Sequence, residues 1–176
     1  MVPLALGIAS SARTGYWLGA GQPHRARQAA GLGISLAIGA AVLCAAALLL
    51  GREAIAHAFT NDPMVAKTAM VWLAWVAVYH LADAVQAVCA FLLRCYRITI
   101  APLLIYTAFL WGFGLYGGYL WAYEESALSG WLQWTGRPAV DTFWISSSLA
   151  LAAVSVLFAA LVWRVSRPLS LTSGVD

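Results

Sequence analysis

Residues 28–50 read QAAGLGISLAIGAAVLCAAALLL, a run of 23 residues without a charge. A helix rises 1.5 Å per residue, so about 20 such residues cross a hydrocarbon core about 30 Å thick. Working outward, four more apolar segments appear, at 2–18, 64–93, 100–122 and 142–163. The first is slightly short for a span, and the other three are long enough. The whole chain agrees: 62% of its 176 residues are hydrophobic, 10% are charged, and the mean hydropathy is +0.80. Soluble domains carry about 25% charged residues. A water-soluble fold of this size could not hide so much apolar surface, so lipid is the expected solvent. The expected fold class is all-α integral membrane with five transmembrane helices. A cytosolic enzyme, a nucleic-acid-binding domain and a disordered tail are excluded as readings, and no nucleic-acid partner is expected.

The connecting stretches hold most of the charges and most of the prolines. Arg25, Arg27, Arg94, Arg97, Arg164 and Arg167 fall on one side of the five alternating spans. Arg52, Lys67 and Arg137 fall on the other, among Glu53, Asp62, Glu124, Glu125 and Asp141. The positive-inside rule places the side with six basic residues in the cytoplasm. The C-terminus, with a tail over 168–176, is then cytoplasmic, and Tyr123–Asp141 forms an outer loop around which Trp121, Trp131 and Trp134 cluster. Pro23, Pro63, Pro138 and Pro168 read as loop punctuation. Arg13 lies roughly 9 Å of helix from Gly19 and can snorkel to the interface. Small residues recur every four positions at Gly7, Ser11, Gly15 and Gly19, again at Gly31, Ser35 and Gly39, and at Gly114 and Gly118. Such stripes predict close helix packing in lipid. The three cysteines, Cys44, Cys89 and Cys95, show no metal-ligand spacing.

Asp83 is the outlier. It stands ten residues before Leu93, roughly 15 Å into a core about 30 Å thick. A carboxylate there costs several kcal/mol unless paired, hydrated or protonated, and intramembrane acids are functional by default. Tyr79, His80 and Gln86 lie three or four residues away and are expected to share its face. A phenol, an imidazole, a carboxylate and an amide on one stripe suit a site for H⁺ or Na⁺. His80 is read as a donor orienting Asp83 or as a second titrating group. Trp72, Trp75, Phe109, Trp111, Phe113 and Tyr116 are read either as lining a cavity for organic cations or as lipid-facing packing. No nucleophile–base pair, phosphate loop, metal cluster or cofactor motif is found, so no enzyme is expected.

These segments resemble the C-terminal lobe of MATE (multidrug and toxic compound extrusion) transporters of the NorM-like branch. Met1-Val2-Pro3-Leu4, then Arg13-Thr14-Gly15 and Leu18-Gly19-Ala20-Gly21, resembles the family's Pro-rich start, Arg-x-Gly and Leu-Gly-x-Gly end. Phe59-Thr60-Asn61-Asp62-Pro63 resembles its outer loop. Tyr79-His80-Leu81-Ala82-Asp83-Ala84-Val85-Gln86 resembles its Tyr-Gln-x-x-Asp-x-x-Gln run, with histidine at the first glutamine. Leu93-Arg94, Pro102, Trp111 and 114–119 follow in order. The resemblance implies a twelve-helix, two-lobed antiporter exporting cationic or amphipathic compounds in exchange for Na⁺ or H⁺, here represented by its last five helices in a partial lobe over 1–167. It implies that Asp83 and Tyr79 hold the coupling cation, with His80 and Gln86 as supporting polar groups and Trp111 and Tyr116 as candidate cavity aromatics. The expected partners are membrane lipid, cationic organic substrates and an N-terminal lobe supplied by the same or another chain. The expected location is a bacterial inner membrane. The alternative is a truncated remnant, or a membrane subunit that packs without transporting.

Overall fold

The computed structural model describes residues 1–123 and 139–167. Within them, α1 (Val2–Gly19), α2 (Pro23–Phe59) and α3 (Pro63–Cys95) are joined by short turns. A continuous rod follows, made of α4 (Ile100–Tyr106), a π-helix (Thr107–Gly117) and α5 (Gly118–Tyr123); α6 is Ala139–Val165. The described structure is all helical, as the apolar runs predict. Four helical segments are long and apolar enough to cross a membrane: α2, α3, the rod over Ile100–Tyr123, and α6 over Thr142–Val165. Helix α1 has 18 residues and packs along α2 and α3. Glu124, Glu125, Trp131, Trp134, Arg137, Pro138 and the tail over 168–176 lie outside the described residues.

Two loop boundaries differ from the sequence reading. Pro23 and Pro63 each stand at the first helical position rather than in a loop. That position has no intrahelical partner for an N–H, so proline loses nothing there. Asp62 caps α3, its Oδ1 accepting from the N–H groups of Met64 at 2.8 Å and Val65 at 3.4 Å. Helix α2 also runs through Arg52 and Glu53 to Phe59. Helical hydrogen bonding continues past the apolar run because polar side chains are no obstacle to it outside lipid.

The ends of α1 and α3 close the same way. The N–H of Gln22 donates to the Trp17 carbonyl at 2.9 Å, and that of Gly21 to Leu18 at 3.1 Å, with Gly21 at φ 67. This is a Schellman ring, in which glycine adopts the left-handed conformation without a Cβ clash. After α3, Ile98 donates to Leu93 at 3.0 Å and Arg97 to Arg94 at 3.0 Å, but the left-handed residue is Arg97, at φ 59.

Helix α3 is central, touching α1, α2 and α6. Val88, Cys89, Leu92 and Leu93 of α3 form the core with Ala30 and Ala37 of α2 and Val154, Phe158 and Val162 of α6. Large apolar side chains such as Leu36, Leu43, Val78 and Val156 lie exposed on the outside, as lipid contact requires.

The packing stripes are shifted from those read in the sequence. Helix α1 buries Pro3, Gly7, Ser10 and Thr14, while α2 buries Ala26, Ala30, Gly33, Ala37, Ala41 and Ala45. A Cβ on Gly7 would meet the Phe91 ring at 2.6 Å, and one on Gly33 would collide with Ser10. Gly15, Gly19, Gly31 and Gly39 have nothing within 4 Å of that position. At about 100° per residue these buried positions of α2 all lie within about 60° of Ala30, whereas Gly31, Ser35 and Gly39 lie about 100–180° around the helix from it. Alanine supplies the small surface that the repeat of Gly31, Ser35 and Gly39 cannot aim. Gly114 and Gly118 do pack as expected: a Cβ would meet Ala150 at 3.2 Å and Ser146 Oγ at 2.5 Å, respectively.

Candidate functional site

Helix α3 positions the four polar residues. Tyr79, His80, Asp83 and Gln86 are all half-buried. Consecutive residues turn by about 100°, so these four fan over an arc instead of stacking in one line. Tyr79 and Gln86 lean toward α6 and the rod. Tyr79 lines an open cleft of about 450 Å³ with Val76, Leu115, Phe143, Trp144 and Ser147. Its ring meets Trp144 edge to face, with centroids 6.2 Å apart and planes at 89°. Gln86 lines a second cleft, of about 440 Å³, with Ala90, Arg94, Thr99, Tyr106 and Phe158. Both volumes fall within the range of small-molecule sites, about 300–1,000 Å³.

By helical spacing His80 falls on a different row. It shares the row of Ala84 and Phe91, and Phe91 is the ring that packs on Gly7 of α1. Asp83 lies on the ridge between these rows, one turn from Tyr79 and one turn from Gln86. The expected single face is therefore a ridge with two slopes. Asp83 stands at the crest, Tyr79 and Gln86 on the slope toward the clefts, and His80 on the slope toward α1. Asp83 and Tyr106 both come within electrostatic range of the Tyr79 hydroxyl.

The π-helix shapes the first cleft. It contains Gly112, Gly114 and Gly117, and Gly118 follows it. Such wide turns are rare and concentrate at functional sites. The Ser146 hydroxyl of α6 donates to the Gly114 carbonyl at 2.7 Å, a buried bond that ties the two elements together. Trp111 and Tyr116 are exposed, at 63% and 64%, on the surface of this segment. The aromatic walls of the first cleft are instead Tyr79, Phe143 and Trp144. Phe143, Trp144, Ser147 and Tyr106 were not singled out from the sequence. The adjacent pair Phe143-Trp144 at the start of an apolar run was the available signal.

Residues 1–120 match the MatE family. The chain belongs to the MatE family. A probable multidrug resistance protein NorM from Aromatoleum aromaticum is 35% identical over 167 residues, covering 95% of this chain and 35% of that protein. The multidrug resistance protein PmpM of Pseudomonas aeruginosa is 33% identical over 167 residues, covering 95% of this chain and 34% of its own length. A probable NorM from Neisseria meningitidis serogroup B is 33% identical over 165 residues, covering 93% of this chain and 32% of that protein. The chain thus spans about a third of the length of the curated relatives it matches. The resemblance read from the sequence is borne out at the level of the family, and with it a multi-pass membrane protein of a transporter family.

Proposed function

We propose that this MatE chain is part of a cation-coupled multidrug antiporter of a bacterial inner membrane, with its C-terminus in the cytoplasm. It works with an N-terminal lobe from the same or another polypeptide. Asp83 takes up H⁺ or Na⁺, Tyr79 helps coordinate the ion, and His80 and Gln86 tune the site. Cationic or amphipathic compounds occupy the groove walled by Tyr79, Phe143 and Trp144. Trp111 and Tyr116 extend the aromatic surface toward the other lobe.

The observation that carries this reading is the position of Asp83 on the ridge of α3, between the row that packs on α1 and the row that lines the clefts. An ionised carboxylate in low dielectric holds water or a cation beside it. Taking up the coupling ion removes that demand. Helix α3 then repacks against α1 about the contact where Phe91 lies on Gly7 and the Cys95 thiol donates to the Ser11 carbonyl at 3.2 Å. Tyr79 moves with the ridge and changes the cleft wall, lowering affinity for an organic cation held against its aromatic faces. Binding of ion and drug is therefore competitive, as antiport requires.

The test is Asp83→Asn in the protein as its gene encodes it, reconstituted in proteoliposomes. Ion-driven efflux of ethidium is expected to fall by at least roughly tenfold, the effect of 1.4 kcal/mol. Undiminished efflux ends the proposal. A sodium jump compared with a pH jump in the unmodified protein names the ion. The alternative is a membrane subunit that packs without transporting, and absence of efflux from the unmodified protein supports it.

A further inference from the structure

We propose that the cleft at the joined ends of α1 and α2 is a binding site for the phosphate headgroup of an anionic phospholipid. The cleft, about 220 Å³, is lined by Arg13 and Trp17 of α1 and by Arg25, Gln28, Ala29 and Leu32 of α2. Both guanidiniums stack on the same indole: Arg25 lies 4.7 Å from the Trp17 ring centroid and Arg13 lies 5.9 Å from it. Two planar donor forks are thereby held on one aromatic plate at the mouth of one cleft. That arrangement suits the oxygens of a phosphate diester, which guanidinium binds through paired N–H groups. Gln28 adds an amide donor.

Charge complementarity points the same way. The first acidic residue of the chain is Glu53, so no carboxylate of residues 1–52 competes for these arginines. Tryptophan and arginine together favour the headgroup level of a bilayer.

The apolar part of the cleft identifies the anion as a lipid. Arg25, Leu32, Leu36 and Leu43 fall on one stripe of α2 by helical spacing. Leu32, Leu36 and Leu43 are 66%, 61% and 73% exposed. The guanidiniums therefore stand at the head of an open leucine rail running into the bilayer. A phosphate bound at Arg13 and Arg25 places its acyl chains along that rail. A free phosphate would use the head of the site and leave the rail bare. This site lies apart from the ridge of Asp83 and does not rest on the transport reading.

The experiment uses the full chain in nanodiscs of equal parts phosphatidylglycerol and phosphatidylcholine, released into detergent and examined by native mass spectrometry. The unmodified chain is expected to retain phosphatidylglycerol over phosphatidylcholine, and 10 mM inorganic phosphate is expected not to displace it. In R13Q/R25Q, with helicity checked by circular dichroism, retention is expected to fall by roughly tenfold or more, as befits two basic groups at a membrane surface. R52Q, near the far end of α2, is expected to retain the lipid. Equal retention of the two lipids by the unmodified chain overturns the proposal without recourse to any variant. Displacement by inorganic phosphate overturns it in favour of a free-anion site, and unchanged retention in a folded R13Q/R25Q overturns the assignment to these arginines.

Discussion

The two sides of α3 are built differently. Toward α1 and α2 small residues make the contact: the Phe91 ring packs on Gly7 of α1, Ala30 and Ala37 of α2 join the core of α3, and α1 meets α2 where Ser10 faces Gly33. Toward α6 the lower half of α3 packs through Val88, Leu92, Val154 and Phe158, while two open clefts remain along Tyr79 and Gln86 beside α6 and the rod, which are tied to each other at Ser146 and Gly114. Small residues let helices close on one another in lipid, where no hydrophobic drive pulls them together. Rings leave gaps, and gaps are where a ligand enters. The difference teaches that Asp83 stands on a seam between a close-packed wall and an adaptable one.

The largest effect is expected on the close-packed side. Gly33→Leu drives a side chain into Ser10 and should cost about 1–3 kcal/mol, read as thermal unfolding in detergent. Gly31→Leu, two residues away with open space above it, should not lower the midpoint and can raise it slightly, since glycine is the poorer helix former. Equal losses would erase the distinction between the two stripes. Next comes the ringed side. Trp144→Ala removes the edge-to-face partner of Tyr79. Tetraphenylphosphonium binding, followed by calorimetry, should weaken by roughly fivefold, from loss of about 1 kcal/mol of cation–π attraction, with little change in unfolding. A stability loss as large as that of Gly33→Leu would mean that Trp144 belongs to the packing core and not to the cleft.

Ser146→Ala is smaller. It removes the bond to the Gly114 carbonyl and should destabilise by about 0.6 kcal/mol, the average for such bonds between membrane helices. The smallest compares the two helix ends. Arg97→Gly gives α3 the glycine that closes α1 and should stabilise by about half a kcal/mol, since relief of the left-handed strain slightly exceeds the added chain entropy. A loss of stability would mean that the Arg97 side chain holds the turn by a contact of its own.

Much of this was legible in the sequence because lipid imposes simple demands. Long apolar runs announced α2, α3, the rod and α6, and one acid in an apolar helix announced Asp83. Where hydropathy failed, it failed for definite reasons. It registers affinity for lipid and not backbone hydrogen bonding, so it stopped α2 at Leu50 although the helix continues through Arg52, Glu53 and His57. It carries no trace of the π-helix, whose wider turns use the same residues. The four-residue glycine repeats drew attention to Gly31 and Gly39, while alanines on a better-aligned row made the contacts. Tyr79 and Gln86 could be associated with Asp83 because they sit on one helix. Trp144 and Tyr106 could not, because nothing local in a sequence brings residues of separate helices together.

Helix α2 has 37 residues, a rod of roughly 56 Å in a film whose oily interior is about 30 Å deep. Leaning it by 40°, the steep limit for such helices, still leaves about 43 Å of vertical reach. At least two turns must therefore lie outside the hydrocarbon core, among the headgroups or beyond them. Part of that surplus falls in Arg52–Phe59, where Ala56 still packs against the bundle while Glu53, His57 and Phe59 face outward, so a fluorophore placed at His57 would report on the helix end without entering the core.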